Sequence, residues 1–367
     1  MIPEYILSIK PYKPGKPIED LEREYGISGS VKLASNENPL GSSPRALEAM
    51  TAAMQSLNRY PDGSGFYLTR KLAGKLEVSP ENIVLGNGSD DVIGMICRAL
   101  LQSGDEAVMT APSFLMYEIL VRSVGASPVF VPLTDLAVDL EAMLGAVTEK
   151  TRIIFINNPN NPTGTFIRQD AFEAFMAEVP ASVTVVLDEA YIEFARDPAC
   201  FNGLAALADF PQMAVLRTFS KIYGLAGIRI GYGVMATELA EILNRVRQPF
   251  NTSSLAQAAA VAALDDTAFL NQTLQLVSTE LDFLQQALQA LGVTCFPTQA
   301  NFFLIDVGRD ADRVFEEMLQ EGVIVRSMVS YGYPEYIRIN AGTREENRRF
   351  LRAFEKVMNP GAAGGGS

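Results

Sequence analysis

The chain has 367 residues, 48% hydrophobic and 20% charged, which suits one large and one smaller domain around substantial cores. Its 30 basic and 43 acidic residues give a net charge of −13, which argues against nucleic acid or an anionic membrane as a partner. There is no histidine and no tryptophan. Ordinary composition would supply roughly eight histidines, so the sequence reads as recoded, and a Ser-His-Asp triad or a histidine-ligated metal is excluded.

Residues 1–35 carry scattered prolines and no clear element, which predicts an N-terminal arm, and Met1–Pro17 lacks the apolar core of a signal peptide. From Ile83 to Met235 short β-branched runs alternate with helical patterns. Strands are predicted at Ile83–Leu85, Ala107–Met109, Pro128–Val131, Ile153–Ile156, Val183–Leu187, Ala214–Leu216 and Ile230–Val234. Helical patterns separate most of them, as after Ser89 and over Ala171–Glu178. The alternation predicts an α/β fold with a mostly parallel central sheet and helices on both faces, in a large domain over residues 36–254.

Beyond Asn251 an amphipathic helical region spans Leu255–Leu291. A strand at Asn301–Val307, a helix at Asp310–Glu321, strands at Val323–Arg326 and Tyr336–Ile339, and a last helix from Arg344 to Val357 follow. These predict a smaller α+β domain over residues 255–359, and residues 360–367 read as an appended linker. Cys97, Cys200 and Cys295 are far apart in apolar surroundings and read as free thiols in a reducing cytoplasm. No stretch approaches a membrane span.

Parallel sheets collect ligands at the carboxyl ends of their strands. Four polar clusters fall there: Gly86–Asp90, Asn157–Gly164, Asp188–Tyr191 and Thr218–Lys221. Lys221 has hydroxyls at Thr218 and Ser220 and a cation at Arg229 close by in sequence. A lone loop lysine is usually just solvated, but one held among cations in a closed pocket loses proton affinity and becomes a nucleophile. Gly88, Ser89 and Asp90 open a helix whose free N–H groups suit a phosphate.

The segment Leu216–Gly231 resembles the Schiff-base motif of fold-type I pyridoxal-5′-phosphate (PLP) enzymes of the class I and II aminotransferases. Arg229 stands eight positions after Lys221, as the phosphate-binding arginine does in that family. The family's Asn-Pro-Thr-Gly matches Asn161–Gly164, and its Asp-x-Ala-Tyr matches Asp188, Ala190 and Tyr191. The resemblance implies that Lys221 carries PLP, that Asp188 faces the pyridine nitrogen, and that Tyr191 and Asn161 bond the ring oxygen. Gly88, Ser89, Asp90, Thr218, Ser220 and Arg229 are then phosphate-side residues. Phe114 occupies the position of the aromatic that stacks on the ring, and Tyr60 that of a tyrosine reaching the neighbouring subunit's cofactor in a homodimer.

Within this family the chain is similar to the histidinol-phosphate aminotransferases, through Tyr12–Pro17, Lys32–Gly41, Arg59–Gly63, Asn301–Phe303, Gly322–Arg326 and Tyr336–Glu346. This implies transfer of an amino group between L-histidinol phosphate and 2-oxoglutarate. Arg338 is then the main ligand of the substrate's anionic group, with Arg326, Asn36 and Tyr12 as further substrate contacts. An aromatic amino-acid aminotransferase and a threonine-phosphate-type decarboxylase are the alternatives.

Overall fold

A computed structural model describes residues 2–12 and 15–359; the tail read as a linker lies outside them. The strands are, in chain order, β1 (Val31–Lys32), β2 (Ile83–Gly86), β3 (Glu106–Ala111), β4 (Ser127–Pro132), β5 (Thr151–Asn157), β6 (Thr184–Asp188) and β7 (Met213–Thr218). They continue with β8 (Gly231–Met235), β9 (Thr294–Cys295), β10 (Phe302–Asp306), β11 (Val323–Ile324), β12 (Arg326–Ser327) and β13 (Tyr336–Asn340). All seven strands expected between Ile83 and Met235 form, and they build one sheet in the order β2-β8-β7-β6-β5-β3-β4. Only β8 runs against its neighbours.

The centre of this sheet is apolar on both faces, as a parallel sheet covered by helices requires. Along β5, Ile153 and Phe155 pack on one side with Val186 and Leu216, while Ile154 and Ile156 pack on the other with Val185, Leu187 and Val215. Helices Ser89–Leu100, Leu115–Ser123 and Thr237–Val246 cover the first face through Ile93, Ile96, Val121 and Leu243. Leu140–Gly145 and Gln169–Glu178 cover the second through Met143, Phe172 and Phe175. Register then sets the site: Asn157 lies opposite Asp188, Asp188 opposite Leu216, and Thr218 opposite Gly231.

The C-terminal part is an antiparallel sheet, β12-β13-β10-β9, backed by helices Thr267–Ala290, Ala311–Gln320 and Arg344–Met358. The structure departs from the sequence expectations here. The helical region over Leu255–Leu291 is two helices, Ser254–Ala263 and Thr267–Ala290. Asp266 ends the run by capping the second helix and accepting the Ser43 hydroxyl at 2.6 Å. The strand expected at Val323–Arg326 is split, because β11 pairs with β1 while β12 pairs with β13.

The N-terminal segment also differs from an elementless arm. Ile18–Tyr25 is a helix stopped by Gly26 in the left-handed region (φ 65°), and β1 follows it. Ile18, Leu21 and Tyr25 give it one short apolar stripe, and Leu21 is fully buried with Ala34, Leu319 and Ile324. Residues 15–35 are thus bound to the C-terminal part of their own chain. Leu21→Ala should cost about 2–4 kcal/mol, the range for a buried leucine. Denaturant unfolding checks this, and a change near zero would mean that the helix is not docked.

Candidate active site

Lys221 is half-buried on the loop after β7, beyond the carboxyl ends of the parallel strands. Its Nζ donates to the Ser35 carbonyl at 3.2 Å and lies 5.6 Å from the centre of the Tyr191 ring. Desolvation is the main force against its charged form. Arg338 and then Arg229 add to it, Glu37 and Asp188 oppose it, and the amine is pushed down to about 8. Such an amine is partly neutral near neutral pH.

β6 ends in Asp188, a buried carboxyl on the cavity wall. Burial pushes it up to about 6, against hydrogen bonds from the Tyr117 hydroxyl at 2.7 Å and the Ala190 N–H at 3.2 Å. The end of β5 braces it. Asn157 donates through Nδ2 to the Asp188 carbonyl at 2.8 Å, and its Oδ1 accepts the Asn161 N–H at 2.7 Å. One side chain thereby fixes the turn carrying Asn161 against the strand carrying Asp188.

The anion-binding end forms around the start of helix Ser89–Leu100, whose first N–H groups have no partner within the helix. Gly88 precedes it at φ 93°, and a Cβ there would collide with the Asp90 carboxylate and the Arg229 guanidinium. Arg229 donates to Ser220 Oγ at 3.3 Å, the Ala226 carbonyl at 3.1 Å and Asp90 Oδ1 at 2.9 Å. Thr218 Oγ1 accepts the Ser220 N–H at 3.0 Å, which fixes the turn before Lys221.

Opposite lies Arg338, buried on β13. It donates to Asn161 Oδ1 and, at 2.9 Å, to the Ala34 carbonyl, while its Nε has no partner among the described residues. Asn36 donates to the Tyr191 hydroxyl at 3.0 Å, and its own backbone is held by Asn340 and Asn301. Burial raises the Tyr191 phenol, so it stays protonated as a donor.

A cavity of about 210 Å³ brings together Lys221, Asp188, Tyr191, Asn161, Phe114 and Arg229. Ser89, Asp90, Thr218 and Ser220 line it as well. Gly88, Asn36 and Arg338 touch these lining groups from behind. Tyr12 and Arg326 instead line a neighbouring cavity of about 1110 Å³, although Arg326 is the strand partner of Arg338. Tyr60 is 82% exposed and stacks on Phe250, away from the cavity of its own chain. The sequence reading missed Tyr117 and Asn157. Their signals were a tyrosine three positions after Phe114 and an asparagine closing a strand, and neither names its partner.

The family model for class I and II aminotransferases matches residues 28–354. The chain belongs to this aminotransferase family. It is 49% identical over 355 residues to histidinol-phosphate aminotransferase 2 of Pseudomonas aeruginosa, covering 96% of each chain. It is 46% identical over 356 residues to the histidinol-phosphate aminotransferase of Moorella thermoacetica, covering 97% of this chain and 92% of that one. Among solved structures, histidinol-phosphate aminotransferase from Sinorhizobium meliloti in complex with pyridoxal-5′-phosphate superposes with a TM-score of 0.89 at 29% identity, over 97% of both chains. The fold of this aminotransferase is accordingly fold type I.

In this aminotransferase burial and two arginines lower the proton affinity of Lys221. Amine labelling of the ligand-free protein, followed by mass mapping, should show Lys221 reactivity rising with pH through a midpoint near 8. Arg338→Gln removes the larger of the two cationic contributions, so the midpoint should move to higher pH. An unchanged profile would mean that the two charges do not interact.

Proposed function

We propose that this enzyme uses pyridoxal-5′-phosphate to move an amino group between L-histidinol phosphate and 2-oxoglutarate, a step of histidine biosynthesis. In the biosynthetic direction glutamate gives the amino group and imidazole-acetol phosphate accepts it. One cavity carries this reading: it holds an amine of lowered proton affinity, a buried carboxyl and an arginine-backed helix start. The relatives at 46% and 49% identity over nearly the whole chain support the substrate assignment.

The residues fit the cofactor. The Gly88 cradle, the Ser89 N–H end and Arg229 suit its phosphate, and Asp188 suits its pyridine nitrogen. Bound PLP supplies an electron-withdrawing ring that stabilises charge at the carbon losing its proton. Asp188, as a carboxylate, keeps that ring protonated. Tyr191 and Asn161 donate to the ring oxygen, and Phe114 walls one face. Lys221 holds the cofactor and, once released, its neutral amine moves the proton on the substrate carbon. With no histidine in the chain, this lysine is the basic group placed to do so. Arg338, with Nε unpartnered among the described residues, takes the substrate's anionic group, and Arg326 and Tyr12 approach it from the larger cavity.

Borohydride reduction of the yellow holoenzyme should fix the cofactor on Lys221, and turnover of L-histidinol phosphate should exceed that of phenylalanine and threonine phosphate. Preferred turnover of phenylalanine would make it an aromatic aminotransferase, and carbon dioxide release from threonine phosphate a decarboxylase. Cofactor mapped to another lysine would overturn the site.

We also infer a cytoplasmic homodimer with shared sites, built from a large domain over residues 36–254 and a smaller one over 255–359. No helix among the described residues is long and apolar enough to cross a membrane. Tyr60, stacked on exposed Phe250, is flanked in sequence by exposed Leu57, Phe66 and Tyr67, an apolar set of the kind that marks an interface. A two-fold partner covering it would bring Tyr60 towards the other chain's cofactor phosphate. Inactive Tyr60→Ala chains mixed with inactive Lys221→Ala chains should then recover part of the activity, because one site of each mixed dimer carries neither defect. No recovery despite subunit exchange would refute shared sites.

A further inference from the structure

We propose that Tyr117 is a positioning residue for Asp188, orienting the carboxylate and holding it ionised towards the cofactor's ring nitrogen. This rests on the assignment of Asp188 made above. Tyr117 is fully buried in the first turn of helix Leu115–Ser123. Its ring is clamped, stacked on Phe155 at 4.8 Å and edge-on to Phe114 at 5.5 Å. Its hydroxyl donates to Asp188 Oδ2 at 2.7 Å. The same helix start thus sets both Phe114, on the cavity wall, and the donor behind the carboxylate.

The carboxylate needs this donor because of its surroundings. Asp90 at the start of helix Ser89–Leu100 and Glu189 beside it both repel its charge, and no arginine or lysine forms an ion pair with it among the described residues. Lys221, from the loop after β7, is the cation that faces it, at longer range, and Tyr191 adds a neutral phenol. Two hydrogen bonds offset burial: the Ala190 N–H on Oδ1 and the Tyr117 hydroxyl on Oδ2, the latter the larger influence. Tyr117 itself is held protonated by burial and by Asp188, so it remains a donor throughout the working range. Removing its oxygen leaves a buried carboxylate with one hydrogen bond and a freer torsion.

The test measures the PLP dissociation constant of apo-protein from pH 5.5 to 8.5, with kcat/KM of the holoenzyme alongside. Tyr117→Phe keeps the ring and removes the hydroxyl. The acid limb of both profiles should move up by about one pH unit or more, the scale of a hydrogen bond to a charged group. PLP affinity should fall roughly tenfold at pH 6 and stay near wild type at pH 8.5. Phe155→Leu loosens the clamp without removing a hydrogen bond, so it should lower Tm while leaving the limb in place. Unchanged profiles in Tyr117→Phe, or an equal shift in Phe155→Leu, would overturn the proposal. Tyr117→Met, also without a donor, carries the same test if the phenylalanine variant does not fold. Asp188→Asn separates the two assignments. If it leaves PLP affinity and turnover intact, the placement of Asp188 and this inference both fail; if it is impaired while Tyr117→Phe is not, only this inference fails.

Discussion

Register between neighbouring strands is the constraint on which the site depends. Side chains alternate along a strand, so a slip of one residue would turn Asp188 from the cavity and bury a charge among apolar neighbours. Pairing of Asn157 with Asp188 and of Asp188 with Leu216 holds against that slip because both faces of β5 and β6 are apolar and covered. Asn157 then reaches sideways to both Asp188 and Asn161, so the sheet's hydrogen-bond ladder continues directly into the polar groups of the site.

The charges at this end of the sheet are arranged against their own ionised forms. Burial pushes Asp188 up and Lys221 down, and each is held near the neutral range by neighbours of like sign, Asp90 and Glu189 for the carboxyl, Arg338 and Arg229 for the amine. A ligand carrying a cationic nitrogen and anionic groups supplies the missing opposite charges. Binding affinity and protonation state are therefore coupled here, and the apolar walls that stabilise the fold also set the chemistry.

Most of the large part was legible in the sequence because its signals are local. β-branched runs such as Ile153–Ile156 and polar clusters at strand ends need no knowledge of distant residues. What escaped was the choice of partner. Val323–Arg326 reads as one strand, and only the presence of β1 on one side and β13 on the other divides it. The Ile18–Tyr25 helix has too short an apolar stripe to announce itself without the surface that receives Leu21. Tyr117 was missed because its hydroxyl acquires meaning only from a carboxylate 71 positions later.

The loop of residues 33–36 is held by chain made long after it. Asn36 bonds Asn340 across 304 positions, Leu33 accepts the Asn340 N–H, and β1 depends on β11. From this same loop Ser35 holds Lys221 and Asn36 holds Tyr191. During synthesis the seven-stranded sheet can assemble as it leaves the ribosome, but these early residues must wait for β11 and β13 to follow. Closing so long a loop comes late in folding. A nascent chain that has not reached β13 consequently has no finished pocket in which to trap a reactive aldehyde, and competence to bind the cofactor arrives only once that strand is in place.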